Sequence, residues 1–329
     1  MAAPLTTRVL KADAASIAEA ARVLAAGGLV AFPTETVYGL GADATNGRAV
    51  ARLYAAKRRP AFNPLITHAV DLKTAQALAR FNAKATRLAK AFWPGPLTLV
   101  LPKAAKCRVA DLATAGLDTM AVRVPDHNVA RDILAAFGKP VVAPSANRSG
   151  HVSPTRAEHV LADLAGGIDL IIDGGPTPVG VESTIIACLD EPVLLRPGGL
   201  PRGAIEGVLK QKLAYSPSAT RPAQGAPLAP GMLAAHYAPR TRLKLNVRHV
   251  EPGEALLAFG RKPAVEANGA RKILNLSPRG DLIEAAANLF SHLRALDAAG
   301  ASAIAVMPIP GDGLGEAIND RLARAAAAR

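Results

Sequence analysis

The sequence predicts an α/β protein built as two units, a large one followed by a smaller one. Short apolar runs typical of strands, such as LVAFP and LTLVLP, alternate with segments whose apolar residues recur at helical spacing. A stretch rich in proline, alanine, serine and glycine, AYSPSATRPAQGAPLAPG at 214–231, has no periodicity and separates the two series. The chain has 329 residues, enough for two buried cores. We therefore divide it into residues 1–212, a linker at 213–239 and a second unit at 240–329.

The elements of the first unit follow in order along the chain. The segment SIAEAARVLAAGG, residues 16–28, starts with a capping serine, has Glu19 three residues later and ends in glycines, so we expect a helix. LVAFP is the next strand and GRAVARLYAAKRR the next helix. Later strands are expected at LTLVLP, MAVRVP, PVVAPS, DLIIDGG, STIIACL and VLLRPGG. Their apolar runs indicate a sheet that helices cover on at least one face.

The second unit repeats the alternation on a smaller scale. Strands are expected at RLKLNV, ALLAFG, RKILNLS and AIAVMPIP, with one helix near 281–299 and another at the C-terminus. The sequence contains no internal repeat.

Composition bounds the class of protein. Half of the residues are hydrophobic but only 4% are aromatic, and no segment reaches the roughly 18 uninterrupted apolar residues of a membrane span. The first residues lack the pattern of a secretory signal. Two cysteines, Cys107 and Cys188, are too few for a disulfide framework or a structural zinc site, which fits a cytoplasmic protein.

The net charge favours anionic partners. It is +13 in total, and residues 1–212 carry 25 Lys and Arg against 17 Asp and Glu, a net +8, which leaves +5 for the rest. The excess is spread along the chain with no basic tail, so nucleotide or RNA is an expected partner. A basic protein from an arginine- and alanine-rich proteome is an equally good explanation of the charge alone.

Several common nucleotide and hydrolase signatures are absent from the sequence. There is no G-x-x-x-x-G-K-[ST], H-E-x-x-H, C-x-x-C or G-x-S-x-G, and GLGADA at 39–44 lacks the third glycine of the dinucleotide fingerprint. A nucleotide must therefore be held by separate cations and hydroxyls.

Five segments supply such groups, each at a strand end or a turn, where α/β proteins build sites. They are rich in donors and none is rich in acids: PTETVYGLG, KRRPAFNPLITH, APSANRSGHVS, VESTII and LLRPGG. Taken singly, each has an ordinary structural explanation, such as a solvated helix C-terminus, a turn, a cap, a surface ion pair or a core histidine. Together they describe a pocket for a polar, anionic ligand.

The same motifs, in this order, resemble the Sua5/YrdC family, the threonylcarbamoyl-AMP synthases. PTETVYGLG, K-R-R-P-x-x-N-P-L-I-x-H, PSAN-x-SG, ESTI and RPG carry the resemblance over residues 10–212, and PGMLAAHYAP at 230–239 matches the longer Sua5 branch. The resemblance implies a YrdC-like twisted sheet whose helices form a basic concave cavity, followed by a small Rossmann-like α/β domain.

The resemblance also implies a reaction. The family makes threonylcarbamoyl-AMP and pyrophosphate from L-threonine, bicarbonate or CO2, and ATP, and a downstream transferase complex places the threonylcarbamoyl group on adenosine 37 of tRNA. Mg2+ is expected to arrive with ATP, because no carboxylate cluster marks a site built by the protein.

Site residues follow from the same resemblance. Lys57 and Arg59 are expected to clasp phosphates, while Arg58 receives no role. The threonine pocket is expected to contain Thr36, His68, Arg123, Ser183 and the backbone around Ala143. The ATP side is expected to contain Arg59, Asn63, Thr119, Ser145, Asn147, Ser153 and Arg196, with Tyr237 of the linker reaching over the nucleotide as part of a lid.

Three alternatives stay open at this point. A double-stranded RNA- or tRNA-binding module would also use a basic α/β surface, although the low aromatic content disfavours base stacking. A carbamoyltransferase of hydrogenase maturation would need cysteine-rich zinc modules, which two cysteines cannot build. An inactive paralogue is disfavoured by the intact Lys57, Arg59, Ser145 and Asn147.

Overall fold

The structure is a computed structural model, and it describes residues 5–216, 229, 236–261 and 269–327. In the described part of the chain, every helix is too short or too polar to cross a lipid bilayer. The cytoplasmic location stays a prediction.

The first unit is a mixed α/β layer structure. Its strands are β1 Arg8–Lys11, β2 Val30–Pro33, β3 Tyr38–Asp43, β4 Ile66–His68, β5 Leu97–Pro102, β6 Thr119–Arg123, β7 Val141–Val142, β8 Leu170–Asp173, β9 Thr184–Ala187, β10 Val193–Arg196 and β11 Ala214–Tyr215. Its helices are α1 Ala14–Ala25, α2 Gly47–Lys57, α3 Leu72–Leu78, α4 Ala83–Phe92, α5 Asn128–Phe137, α6 Ala157–Leu164 and α7 Arg202–Leu209, with a short 3-10 helix at Asp111–Thr114.

The eleven strands form one sheet in the order β1-β8-β2-β3-β7-β4-β6-β5-β9-β10-β11. The central strands are almost completely buried, because helices pack over them. Strands β4 and β6 are parallel, and their register places His68 beside Arg123. Polar residues that are far apart in the sequence therefore meet at one end of the central strands, where the candidate site lies.

The first helix begins earlier than the sequence predicted. Ser16 was expected to be the N-cap, but Asp13 occupies that position and Ser16 is the third residue of the helix. The Asp13 side chain accepts a hydrogen bond from the Ser16 amide at 2.7 Å, and the Ser16 hydroxyl accepts one from the Asp13 amide at 2.9 Å. The capping box is therefore formed by Asp13 and Ser16, because an aspartate caps at least as well as a serine.

The second unit is a four-stranded parallel sheet with order β12-β15-β13-β14. Its elements are β12 Leu243–Lys244, β13 Ala255–Ala258, β14 Lys272–Asn275, α8 Leu282–Asp297, β15 Ile304–Val306 and α9 Gly315–Ala326. Strand β13 and the inner face of α8 are buried, as expected for a parallel sheet covered by helices. The prediction of a small α/β unit of Rossmann type is confirmed.

The two units share an apolar core. Val37, Val152 and Val181 of the first unit pack in one cluster with Leu289 and Phe290 of α8. Gly180 fits against this helix because it has no side chain: a Cβ would lie 2.3 Å from the carbonyl oxygen of Ala286. The units are therefore in direct contact next to the loop that carries residues 181–184.

The structure describes the predicted linker only at residues 213–216, 229 and 236–239. Strand β11 pairs with β10 at residues 214–215, just inside the predicted linker. Residues 217–228 and 230–235, where most of the predicted linker lies, are outside the described residues. The C-terminal end of the linker is fixed on the first unit, since the Ala238 amide donates to the Gly150 carbonyl at 2.8 Å.

Candidate active site

A polar cavity lies at the centre of the large sheet, and His236 and Tyr237 at the end of the linker form part of its wall. Nine of the fourteen predicted site residues line it: Thr36, Arg59, His68, Arg123, Ala143, Ser145, Ser183, Arg196 and Tyr237. They come from segments that are far apart in sequence and meet only in the fold. The arrangement of three arginines with hydroxyls and a histidine suits an anionic ligand.

One side of the cavity is built around Arg123 at the end of β6. Its Nη1 donates to the Thr36 hydroxyl at 3.0 Å, and its Nε donates to the Gly95 carbonyl at 3.2 Å. Its Nη2 lies 2.5 Å from the Glu35 Oε1, an ion pair without the angles of a hydrogen bond. Thr36 and Glu35 belong to the tight turn of the β2–β3 hairpin, which the Thr34 hydroxyl closes by donating to the Val37 carbonyl at 2.7 Å.

His68 lies beside Arg123 and is neutral. Burial, together with the charge of Arg123, lowers the pKa of His68 to about 3. Its Nδ1 is buried and has no hydrogen-bond partner among the described residues. The ring therefore adds a polar but uncharged group to this side of the cavity.

The opposite side is built around Arg59, just after helix α2. Arg58 adopts a left-handed conformation with φ 51°, which turns the chain so that Lys57 and Arg59 are buried while Arg58 is exposed. Arg59 Nε donates to the Asn63 carbonyl at 3.1 Å, and Nη2 donates to the Pro64 carbonyl at 2.9 Å. Burial lowers the pKa of Arg59 to about 10, so the guanidinium is charged at neutral pH.

Lys57 supports the cavity from behind and does not line it. Its Nζ donates to the carbonyls of Ser145 and Asn147, each at 2.5 Å. Burial holds the pKa of this amine well below its usual range. Lys57 thereby fixes the loop that presents Ser145, while its predicted contact with phosphate stays a prediction.

The loop that follows β7 is hydrogen-bonded to the backbone of two neighbouring strands. Its Ala143 amide donates to the Ile66 carbonyl at 3.0 Å, and its Ala146 amide donates to the Tyr38 carbonyl at 2.8 Å. The Asn147 Nδ2 donates to the Arg148 carbonyl at 2.7 Å and to the His151 carbonyl at 2.9 Å. The loop is therefore held by neighbouring backbone before any ligand binds.

Arg196, at the end of β10, lines a third part of the cavity wall. Its Nε and Nη2 donate to the Ser183 carbonyl at 3.2 and 2.8 Å, and Nη2 also reaches the Ser183 hydroxyl at 3.3 Å. The Ser183 hydroxyl lies 2.8 Å from that of Thr98. The chain at Gly198 packs directly against the backbone of Glu182. A side chain does not fit there, because a Cβ would lie 2.3 Å from the Glu182 carbonyl oxygen.

Five predicted residues do not line the cavity. Three of them have buried polar atoms without a partner among the described residues: both side-chain atoms of Asn63, the Thr119 hydroxyl and Asn147 Oδ1. Ser153 is buried and donates to Glu182 at 2.5 Å, and Lys57 is the loop support. Buried polar groups are nearly always satisfied in proteins, so this concentration of unsatisfied atoms fits a polar ligand.

Tyr237 enters the cavity wall from the linker in a left-handed conformation with φ 64°. Its ring is buried and stacks on Phe290 of α8 at 5.8 Å between centroids. Its hydroxyl has no partner among the described residues. Tyr237 thus connects the cavity with the second unit, as a lid residue would, although lid movement stays a prediction.

Two acidic residues of the site received no role from the sequence. We expected donor-rich segments, none of them rich in acids, and in the structure Glu182 lines the cavity and Glu35 pairs with Arg123. Glu182 belongs to VESTII and Glu35 to PTETVYGLG, which are two of the five polar motifs. Their position in these motifs is the sequence signal that could have identified them. Thr34 and His236 also line the cavity, and His236 adjoins Tyr237 in the HYAP element.

Metal ligands are not gathered at this site. The described residues contain no group of three or more His, Cys, Asp or Glu side chains placed to hold a metal ion. Both oxygens of Glu182 are already engaged, one by Ser153 and the other by Arg321 of helix α9. Among the described residues the cavity is therefore cationic in character, and the one carboxylate that lines it is paired.

Two family models match most of this chain. The family model Sua5_yciO_yrdC, described as telomere recombination, matches residues 22–198. The model Sua5_C, described as threonylcarbamoyl-AMP synthase, C-terminal domain, matches residues 201–327. The chain belongs to the Sua5/YciO/YrdC family. The presence of both domains identifies it as a long, Sua5-type member.

Relatives of this Sua5-type chain match over nearly its whole length. The threonylcarbamoyl-AMP synthase of Bacillus subtilis (strain 168) is 40% identical over 339 residues, covering 98% of this chain and 96% of the relative. That of Pyrococcus abyssi is 43% identical over 321 residues, covering 94% of each chain. The prediction that the chain is an enzyme of this synthase family is confirmed.

Solved structures confirm the predicted YrdC-like architecture with its appended C-terminal domain. The crystal structure of P. abyssi Sua5 complexed with L-threonine has a TM-score of 0.87 at 39% identity and covers 99% of this chain and 98% of that one. The structure of a P. abyssi Sua5 variant with a histidine and a tyrosine replaced by alanine has the same TM-score at 38% identity. E. coli YciO, at 24% identity and a TM-score of 0.52, shares the fold of the first unit.

Proposed function

We propose that this chain is an L-threonylcarbamoyladenylate synthase, which converts L-threonine, bicarbonate or CO2, and ATP into threonylcarbamoyl-AMP and pyrophosphate. One observation carries the proposal. Arg59, Arg123 and Arg196, from three separate segments, line a single buried cavity together with hydroxyls and a neutral histidine. The names and threonine complex of the Sua5-type relatives support this choice of substrates.

The chemistry requires three anionic groups to meet in one place. The threonine amine captures CO2 as a carbamate and releases a proton to solvent. A carbamate oxygen then attacks the α-phosphorus of ATP, and pyrophosphate leaves. The triphosphate, the carbamate and the threonine carboxylate repel one another in water, so the protein contributes mainly by positioning them and by neutralising charge.

Each side of the cavity has a proposed ligand. Arg123 takes the threonine carboxylate, with Thr36 and His68 beside it. Arg59 and Arg196 take phosphates, since guanidinium groups bind phosphate oxygens in pairs of hydrogen bonds. In this proposal the backbone around Ala143, which lines the cavity, meets both substrates at their junction. A preformed carbamate is already nucleophilic, so the proposal needs no general base.

Mg2+ enters this proposal with ATP. The donors of the cavity are cations, hydroxyls and amides, and its lining carboxylate already binds Ser153 and Arg321. The ion would therefore be held by phosphate oxygens and water, where it offsets charge on the leaving pyrophosphate. Transfer of the product to adenosine 37 of tRNA, the transferase complex that performs it and weak tRNA binding all stay predictions.

Mass spectrometry tests the proposal most simply. The purified full-length chain is incubated with ATP, Mg2+, L-threonine and bicarbonate, and threonylcarbamoyl-AMP and pyrophosphate are measured. We expect both products, and we expect neither when threonine is left out. Pyrophosphate release without threonine, or binding of tRNA with no adenylate formed, would contradict the proposal and favour another activity of this fold.

A further inference from the structure

A buried carboxylate lies behind the arginine to which the proposed function assigns threonine. Glu35 is 5% exposed, and its Oε1 lies 2.5 Å from Arg123 Nη2. Neither of its carboxylate oxygens has a hydrogen-bond donor among the described residues. The neighbouring residues Thr34 and Thr36 line the cavity, but Glu35 does not. Glu35 can therefore act on a ligand only through Arg123 or through its charge.

The turn that carries Glu35 is held in place by backbone from a distant segment. The Glu35 carbonyl accepts a hydrogen bond from the Val179 amide at 2.9 Å, and the Thr36 carbonyl accepts one from the Gly180 amide at 3.1 Å. The Thr36 hydroxyl also accepts a hydrogen bond from Arg123 Nη1 at 3.0 Å. The turn therefore presents the carboxylate of Glu35 and the hydroxyl of Thr36 to the same guanidinium.

The two histidines near this ion pair add no positive charge to it. Burial, together with the charge of Arg123, lowers the pKa of His68 to about 3. Burial also lowers the pKa of His127, although the nearby Glu35 opposes this effect. Both rings are therefore neutral at pH 8, and the pair of Arg123 and Glu35 leaves this side of the cavity with a net charge near zero.

Net charge decides which anions this arginine accepts. A guanidinium binds the oxygens of carboxylate, sulfate and phosphate groups with the same fork of N–H donors, so its geometry alone does not distinguish them. A carboxylate directly behind it repels each anion in proportion to the charge of that anion, and the repulsion is weakly screened in a buried site. A triphosphate is therefore disfavoured most. Threonine is disfavoured least, because its ammonium group balances its carboxylate.

We propose that Glu35 is a specificity-determining residue: its charge keeps multiply charged anions, the phosphates of ATP among them, off Arg123 and leaves this arginine for the carboxylate of an amino acid. This inference rests on the proposed function, because it takes the ligand of Arg123 to be threonine. In that reaction the carbamate forms on the threonine amine and attacks ATP, so its charge lies away from Arg123. Glu35 thereby directs each substrate to its own side of one cationic cavity.

Competition by two simple anions tests this selectivity. Sulfate, with two charges, and formate, with one, compete with L-threonine for the full-length protein, and calorimetry measures threonine binding at pH 8 and constant ionic strength. Wild-type protein is expected to bind sulfate at the threonine site no more tightly than formate. Glu35→Gln is expected to lower the dissociation constant of formate by about 3- to 10-fold and that of sulfate by about 10- to 100-fold, because sulfate has twice the charge.

Two further variants separate the charge of Glu35 from the loss of a buried acid in general. Glu35→Asp keeps the charge and is expected to keep the wild-type ratio of the sulfate and formate constants. Asp163 Oδ2 lies 3.0 Å from Arg294 Nη2, and this aspartate is 9% exposed and does not line the cavity. Asp163→Asn therefore removes an equally buried acid from another arginine, and it is expected to leave the ratio within about twofold of the wild-type value.

A purely structural role of Glu35 predicts a different result, since a misplaced Arg123 would bind threonine, formate and sulfate more weakly together. That result, an unchanged ratio in Glu35→Gln, or an equal change of the ratio in Asp163→Asn would overturn the inference. If Glu35→Gln does not fold, the wild-type measurement decides, because tighter binding of sulfate than of formate contradicts the inference. Wild-type protein that binds no threonine would instead overturn the proposed function, so the two failures are distinguishable.

Discussion

The two sides of the cavity hold their arginines in different ways. Arg123 lies against a carboxylate, with its Nη2 2.5 Å from Glu35. Arg59 donates instead to the neutral carbonyls of Asn63 and Pro64, at 3.1 and 2.9 Å. Both arginines are buried, but only the first has an acidic partner at contact distance in the described part of the chain.

This difference shows where positive charge remains for a ligand. On the Arg123 side the charge is offset by Glu35, and His68 is neutral, so the side suits a singly charged carboxylate. On the Arg59 side the guanidinium keeps its full charge, which suits a triphosphate. The charge of each side therefore matches the charge of the substrate proposed for it.

The largest expected effect is on stability, at Arg123. Arg123→Met leaves the buried Glu35 carboxylate without its partner, which is expected to lower the free energy of unfolding by about 3–5 kcal/mol. Urea unfolding of wild-type and variant protein measures the loss. The double variant Glu35→Gln/Arg123→Met should recover most of it, and a double variant as unstable as the single one would show that the pair is not what stabilises this side.

The next effect is on ATP binding, at Arg59. Arg59→Ala is expected to weaken ATP binding by on the order of 1–3 kcal/mol, the range for hydrogen bonds to charged groups. Threonine binding should change little, because Arg59 lies on the other side of the cavity. Isothermal titration with each ligand measures both affinities, and unchanged ATP affinity would contradict the assignment of this side.

A pH effect follows from the neutral His68. Its folded-state pKa of about 3 lies below the unfolded value near 6.5, so the unfolded chain binds a proton first as the pH falls. At pH 5 this difference lowers the free energy of unfolding by about 2 kcal/mol relative to pH 8. His68→Asn should lose correspondingly less stability between these pH values. Equal losses in the two proteins would show that the histidine is not buried in its neutral form.

The smallest effect is expected at Arg58, the exposed neighbour of Arg59. Arg58→Ala removes a cation of the same type one position away, and it is expected to change ATP affinity by less than about 0.5 kcal/mol. A loss as large as that of Arg59→Ala would mean that general surface charge, and not the buried guanidinium, attracts the nucleotide.

Polar motifs at strand ends and turns predicted a shared pocket, and their residues form most of the cavity lining. Arg123 was expected only from the family resemblance, and the register of β4 and β6 places it beside His68. The sequence does not show which of three adjacent cations faces inward. The left-handed turn at Arg58 decides this, and it buries Lys57 under the loop at 145–147.

Acidic partners were harder to predict than the cations. Glu182 and Arg321 are 139 residues apart, and nothing local in the sequence of α9 indicates that one of its arginines is buried against the first unit. The start of helix α1 was missed for a simpler reason, because Asp13 and Ser16 are both good capping residues and tertiary structure selects between them.

A crystal structure of the chain with L-threonine and a non-hydrolysable ATP analogue tests the division of the cavity most directly. We predict that the threonine carboxylate lies within hydrogen-bond distance of Arg123 and that the triphosphate lies against Arg59 and Arg196. Phosphate oxygens bound to Arg123, or a threonine carboxylate bound to Arg59, would contradict it.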